Sequence, residues 1–220
     1  MLIKYNQIKK FLLDLIFPVF CVDCNKEGEW LCVRCLKKIK FKEPFLPLKN
    51  GSGLNGLIIM ADYQNETVKQ VIHLLKYNFA YDLRTAIGSL LADFIKKSRI
   101  NFPAQTLVIP IPLHKKRLRW RGFNQAQIIG EELAKIFSFK VSIDNLRRIK
   151  YTQPQVELDA KARKNNIIDA FMLHNPLEIS GQSVILIDDV YTTGSTMKEA
   201  AKVLKKAGTK EVIGFVIAKG

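Results

Sequence analysis

Short apolar runs alternate with amphipathic stretches along most of the 220-residue chain. LNGLIIMADY predicts a strand, while TVKQVIHLLK and DLRTAIGSLLADFIKK predict helices, the second carrying Leu83, Ile87, Leu90, Leu91 and Phe94 on one stripe. TLVIPIP is an apolar run stopped by prolines, hence a strand that feeds a loop. NQAQIIGEELAKIF reads as a helix with Asn124 as its N-cap. After a polar stretch come the strand VILIDD, the helix STMKEAAKVLKKAG closed by Gly208, and the strand EVIGFVIA. Val184 to Ile187 shows no polar alternation, as a central parallel strand buried on both faces requires. Strands alternating with helices of this length define βαβ units. The expected fold class is therefore α/β, a mostly parallel sheet with helices on both faces.

The first twenty residues, MLIKYNQIKKFLLDLIFPVF, have the basic start and apolar run of a signal peptide. Asp14 interrupts that run, Pro18 ends it, and no small-residue cleavage site follows. Ile8, Phe11, Leu12, Leu15 and Ile16 recur at i, i+3, i+4 spacing, which predicts a packed or partner-binding amphipathic helix, with a membrane-surface role as the weaker alternative. No other stretch approaches the apolar length that spans a bilayer. EPFLPLKNGSG, residues 43 to 53, has two prolines and two glycines and reads as a linker. It divides a module at 1–45 from a larger domain at 54–220.

Composition adds a charge and a metal. Thirty-five Lys and Arg against twenty Asp and Glu give a formal charge of +15, which favours partners carrying phosphate, whether DNA, RNA, membrane or sugar phosphate. All four cysteines fall between residues 21 and 35, unlike the spread of a secreted disulfide framework, so a reducing, cytoplasmic location is expected. Cys21-x2-Cys24 and Cys32-x2-Cys35 can present four thiolates to one tetrahedral ion. Zinc is favoured over iron, and two disulfide-like pairs are the alternative. Four thiolates fill the coordination shell, so the ion would be structural, holding a module too small to build its own core.

The densest chemistry lies in VILIDDVYTTGST, residues 184 to 196. Asp188 and Asp189 could simply end a strand, with Thr192 or Ser195 capping the next helix. The whole combination says more. Glycine lets a backbone approach a ligand, and successive N–H groups and hydroxyls at a helix N-terminus cradle a phosphate dianion. Two carboxylates nearby accept hydrogen bonds from a vicinal diol, or hold magnesium through water. Phosphate at one end and diol at the other describe a ribose 5-phosphate. The stretch resembles the phosphoribosyl diphosphate motif of the type I phosphoribosyltransferases. That resemblance assigns Asp188 and Asp189 to the ribose 2- and 3-hydroxyls, and Thr192, Thr193, Gly194, Ser195 and Thr196 to the 5-phosphate. Purine-salvage members carry an acid where this chain has Thr192, which argues against hypoxanthine or guanine as acceptor.

VIPIPLHKKRLRWRGFNQA, residues 108 to 126, packs five cations into Lys115 to Arg121, with Trp120 and Phe123 beside them. A solvated loop is the plain reading. Cations tracking phosphates and an aromatic stacking on a base would suit single-stranded nucleic acid. Alternatively, the turn at Pro110 and Ile111 presents backbone N–H groups to a leaving pyrophosphate, with Arg117, Arg119 and Arg121 as counter-charges. The turn is similar to the pyrophosphate loop of amidophosphoribosyltransferases. Residues 146 to 171, LRRIKYTQPQVELDAKARKNNIIDAF, resemble the flexible catalytic loop of the same enzymes and carry Arg147, Arg148, Lys150, Gln153, Gln155, Arg163 and Asn166. The expected catalytic set is Asp188, Asp189, Arg147 and Arg148. Lys76 draws interest through the family pattern, and His73 and His114 read as ordinary surface or core histidines.

The cysteine pairs, IPIPLHKKRLRWRGFNQA, the TQPQ segment and IDDVYTTGST occur in the order of the ComF family, which the chain resembles over nearly its whole length. The resemblance implies a cytoplasmic protein of natural competence that assists uptake of transforming DNA alongside a helicase-like partner. It also implies a type I phosphoribosyltransferase fold preceded by a small four-cysteine zinc module, binding phosphoribosyl diphosphate with magnesium. An active transferase that displaces pyrophosphate at ribose C1, with no DNA role, is the alternative. The chain has neither an N-terminal cysteine nucleophile nor a glutaminase domain, and residues 54 to 80 carry no decodable acceptor signature.

Overall fold

The computed structural model describes residues 18–48, 52–76, 83–151 and 167–220. The expected helix on Ile8 to Ile16, and Gln153, Gln155, Arg163 and Asn166 of the loop segment, lie outside the described residues. Along the chain run α1 (Val33–Lys38), β1 (Phe45–Pro47), β2 (Gly56–Asp62), α2 (Glu66–Lys76), α3 (Arg84–Ser98), β3 (Thr106–Pro110), α4 (Lys115–Arg121), α5 (Gln125–Phe137), β4 (Lys140–Val141), β5 (Leu146–Arg148), β6 (Phe171–Leu173), β7 (Ser183–Tyr191), α6 (Ser195–Lys206) and β8 (Glu211–Lys219).

Six strands form one sheet in the order β1-β2-β8-β7-β3-β4, and β5 pairs with β6 in a separate antiparallel hairpin. Neighbours in the large sheet run parallel, except that edge strand β1 is antiparallel to β2. The stretch expected to be a linker thus supplies a strand. Continuous apolar runs form the middle of the sheet because both its faces are covered. Val71, Ile72 and Leu75 of α2, Ile87, Leu91 and Phe94 of α3, and Ile129 and Leu133 of α5 bury one face. Met197, Ala200, Ala201 and Leu204 of α6 bury the other, with Leu146 and Phe171 of the hairpin. No helix among the described residues is long and apolar enough to cross a membrane.

The cysteine-bearing segment shares the first of these cores. Leu31, Cys35, Leu36 and Ile39 belong to the same buried cluster as Phe94 and Phe215. Phe41 meets Phe94 edge to face at 5.3 Å, and the Lys42 N–H donates to the Met60 carbonyl at 2.8 Å. Six residues of helix could not hold themselves in water; here α1 is held by what it packs against.

Strand order reverses between β3 and β7: from β3 the chain moves outward to β4, whereas β7 and β8 lie on the opposite side. In open α/β sheets the crevice beyond the carboxyl ends at such a reversal is where ligands bind. Two expectations change here. Strand β7 does not end at the acids that close VILIDD, because β8 is long enough to keep pairing with it through Asp188↔Val216 to Tyr191↔Lys219. On the β3 side pairing ends at Pro110↔Ile187. The two acids are therefore fixed by the ladder on one edge and open to the crevice on the other. The basic stretch is also not a loop but the helix α4, with the His114 side chain accepting from the Lys116 N–H and Gly122 closing the C-terminus at φ 82°.

Candidate functional site

Side-chain alternation on β7 sends Ile185 and Ile187 to the core under α2, α3 and α5, and Val184 and Leu186 to the core under α6. Continued one step each, it turns Asp189 toward α2 and Asp188 toward the hairpin. Each acid meets a cation on its own face. Lys76 Nζ, on the last residue of α2, lies 3.3 Å from Asp189 Oδ2. Arg148, at the end of β5, is close enough for the Asp188 charge to act on it. Burial raises the Asp188 carboxyl well above the usual carboxylate range, the Asp189 charge adds to that, and Lys76 opposes it. Local bonds fix the rotamers: the Asp189 N–H donates to Asp188 Oδ1 at 2.9 Å and the Val190 N–H to Asp189 Oδ1 at 2.8 Å.

Beyond the acids the chain turns through Thr192 and Thr193 into α6. Gly194 makes that turn at φ 74°, and a side chain there would run into the Tyr191 phenol ring. Having no side chain, Gly194 offers α6 no cap of its own, so the first-turn N–H groups face the loop. Thr193 Oγ1 and Ser195 Oγ sit 2.9 Å apart. Hydroxyls and helix N-terminus together suit a phosphate dianion.

Pro110 and Ile111 are placed beside the acids, but their contribution differs from the one expected. Ile111 donates its N–H to the Ile187 carbonyl at 2.9 Å, and its carbonyl accepts from Asn124 Nδ2 at 3.0 Å. Prolines 110 and 112 have no N–H to give. An anion at this turn would meet amides only from Leu113 onward. Asn124 does double duty, since its Oδ1 also accepts the Ala126 N–H at 3.1 Å and caps α5. On α4, Arg117 and Arg121 are half-buried, whereas Arg119 and Trp120 are exposed, Trp120 by 75%.

The hairpin separates the two expected catalytic arginines. Arg148 pairs with Phe171 and lies over its ring at 5.6 Å. Its guanidinium is pushed down to about 10, by burial first and then by Arg117, with Asp188 pulling the other way. Arg147, one residue earlier, points to the exposed side and gives its Nε–H to the Asp144 carbonyl at 3.1 Å. Close by, Tyr151 meets the His114 ring edge to face at 5.2 Å and lies under Lys116 Nζ at 5.4 Å. Burial, then Arg148, Lys116 and Lys115, lower the His114 imidazole. Lys76, Asn124 and the His114–Tyr151 contact are the members of this neighbourhood that sequence reasoning left out of the site. For Lys76 the signals were the family pattern and its place at the end of TVKQVIHLLK.

The four cysteines converge. Their Sγ atoms all lie within 4.8 Å of one another, with Cys24 and Cys32 at 3.6 Å, and all four are free thiols. A tetrahedral ion with bonds of about 2.3 Å needs sulfurs about 3.8 Å apart, so the cluster fits a single metal. The Lys26 backbone N–H leads in bringing the Cys24 thiol down to about 6, while Asp23 leads in pushing Cys35 up.

The phosphoribosyl transferase domain family matches residues 124–220. Competence protein F of Haemophilus influenzae is 29% identical over 204 residues, covering 89% of this chain and 82% of that protein. DNA utilization protein YhgH of Escherichia coli O6:H1 is 31% identical over 158 residues, covering 71% and 68%. Competence protein ComFC of Streptococcus pneumoniae is 27% identical over 208 residues, covering 90% and 87%. Among solved structures, TT1426 from Thermus thermophilus superposes at a TM-score of 0.35 with 16% identity, over 60% of this chain and 72% of that one. That likeness is too distant to carry an argument. Sheet order, switch-point acids and helix-capping hydroxyl loop define a type I phosphoribosyltransferase fold. Within that class the chain belongs to the ComF family of competence protein F, ComFC and YhgH.

Proposed function

We propose that the chain binds phosphoribosyl diphosphate and serves the handling of incoming DNA in natural competence. One observation carries the ligand: Asp188 and Asp189 stand at the switch point, on the strand that leads through Thr192–Thr196 into the N-terminus of α6. The 5-phosphate sits on the Thr193–Thr196 amides and hydroxyls, and the ribose diol on the two acids. Arg148, Arg117 and Arg121 face the diphosphate. Two carboxylates, one already drawing an ammonium to 3.3 Å, make a donor set that fits a hard divalent cation. Bound there with the diphosphate, magnesium would neutralise charge on the leaving group. Zinc on Cys21, Cys24, Cys32 and Cys35 would hold the N-terminal module, with residues 1–45 and 54–220 as the two units of a cytoplasmic protein.

The DNA role rests on the names of the relatives, competence protein F and DNA utilization protein YhgH. A specific surface favours direct contact with single-stranded DNA: Trp120 projects from α4 beside the exposed Lys116 and Arg119, the pairing of stacking ring and cations that unstacked bases require. Recruitment of a helicase-like protein is the alternative. The active-transferase reading needs displacement of pyrophosphate at ribose C1.

Thermal denaturation with millimolar phosphoribosyl diphosphate and magnesium tests the ligand, since selective binding to the native state raises Tm. The rise should vanish in the Asp188→Asn/Asp189→Asn double variant. No rise in the wild type would refute the proposal, and release of pyrophosphate would distinguish a working transferase from a binding protein.

A further inference from the structure

We infer that Lys76 is a built-in counter-cation of the acid pair, a positioning residue that occupies Asp189 until a divalent cation or a ribose diol displaces it. The inference rests on the acid pair being the diol and cation clamp described above. It concerns what the clamp holds when no ligand is present.

Three observations support it. First, the ammonium is delivered from a fixed base. Val68, Val71, Ile72 and Leu75 of α2 are all fully buried, so the helix is anchored in the core and the Lys76 side chain bridges the rest of the way to Asp189, at 3.3 Å. Second, the side chain has an exit. It keeps 33% of its surface exposed while Asp189 keeps 15%, so the lysine can swing into solvent and leave the carboxylate in place. Third, Lys76 is the last residue of α2, where the carbonyl end of the helix favours a cation. The ammonium therefore prefers this position when the site is empty.

On the opposite face Arg148 does not compete in the same way. It is packed over Phe171 in the hairpin, and its planar guanidinium is held by that packing rather than by a flexible stem. The clamp is thus asymmetric, with a fixed cation beside Asp188 and a movable one on Asp189. A divalent cation approaching Asp189 must displace a charge that is already bound, which weakens its binding in the absence of the sugar diphosphate.

Titration of the full chain with Mn2+ alone, followed by water-proton relaxation at neutral pH, tests this without any sugar phosphate. Lys76→Met should bind Mn2+ at least tenfold more tightly than the wild type. Lys76→Arg, which keeps the charge, should stay within about twofold of the wild type. Lys76→Met/Asp189→Asn should lose the gain, which places the effect at the acid pair. Equal Mn2+ affinity in wild type and Lys76→Met would overturn the inference. Circular dichroism melting identifies a variant that fails to fold, and Lys76→Gln then replaces Lys76→Met. Because phosphoribosyl diphosphate is absent, a tenfold gain stands even if the wild type never binds the sugar diphosphate, so the two proposals fail separately.

Discussion

The phenol ring of Tyr191 fills the space that a side chain on Gly194 would need. The two residues bracket the turn that swings the chain from β7 into α6, and Gly194 holds it at φ 74°. Gly194→Ala meets both a left-handed backbone and the ring. It should cost about 2–3 kcal/mol, a fall in Tm of roughly 5–10 °C for a chain of this size. Gly194→Ala/Tyr191→Ala should recover part of that loss, which a thermal melt of the pair would show.

Asp188 is held in the fold at a stability cost. Burial, then the charge of Asp189, raises its carboxyl, so the native chain holds a proton there more tightly than the unfolded chain does. The stabilisation from that proton is complete below the ordinary carboxylate value of about 3.9, and it is lost as pH rises through the raised value. At neutral pH the ionised group is unfavourable. Asp188→Asn should therefore raise Tm at pH 7 by a few degrees, while abolishing the ligand-induced shift. Melts between about pH 4 and pH 8 should show wild type and variant diverging as pH rises.

Arg148 and Arg147 should behave differently despite adjacency. Arg148→Gln removes the cation that faces Asp188 and should weaken binding of the sugar diphosphate at least tenfold. Arg147→Gln, on the exposed face, should change it by less than about twofold. Calorimetric titration of the two variants decides the matter, and equal losses would mean that the hairpin does not present Arg148 to the ligand.

Asn124 joins α5 to the turn after β3. Removing both functions in Asn124→Ala should cost about 2 kcal/mol, roughly half from the helix cap and half from the buried Ile111 carbonyl left without its donor. Asn124→Asp keeps the capping oxygen and should lose only the second part. Urea denaturation of the two variants separates the contributions.

Cys35→Ser should abolish stoichiometric zinc in the purified protein, measured by a colorimetric chelator assay. The loss should also spread. Cys35, Leu36 and Ile39 lie in one buried cluster with Phe94 and Phe215, so the variant should lower the single Tm of the whole chain rather than reveal a separate early transition.

The central strands were legible because burial on both faces leaves no polar position, and VILIDD and EVIGFVIA state that directly. The long helices were legible through their stripes and through Asn124. What escaped was short or charged. β1 is hidden by two prolines, and β5 and β6 are three-residue strands with no apolar alternation to announce them. The charge run at 115–121 masked α4, although His114 before it and Gly122 after it are usable cap signals. For the candidate site, residue types and order point to the acids and the hydroxyl loop, which the structure places on one strand-to-helix turn. Which of Arg147 and Arg148 turns toward Asp188 depends on hairpin register, and the reach of Lys76 to Asp189 depends on how α2 lies across the sheet. Neither is written in local sequence.

Strand β8 lies in the middle of the sheet yet comes after every other strand in the chain. It joins β2 and β7, and the Asn55 side chain binds the Val212 N–H across 157 positions. During synthesis β2 and β7 must wait without their shared partner until the ribosome has delivered residues 211–219. Closure of the sheet, and with it the geometry around Asp188 and Asp189, is therefore a late event in the life of each molecule. Such distant pairing is slow, and a nascent chain of this kind spends its first moments with two apolar strand edges unprotected.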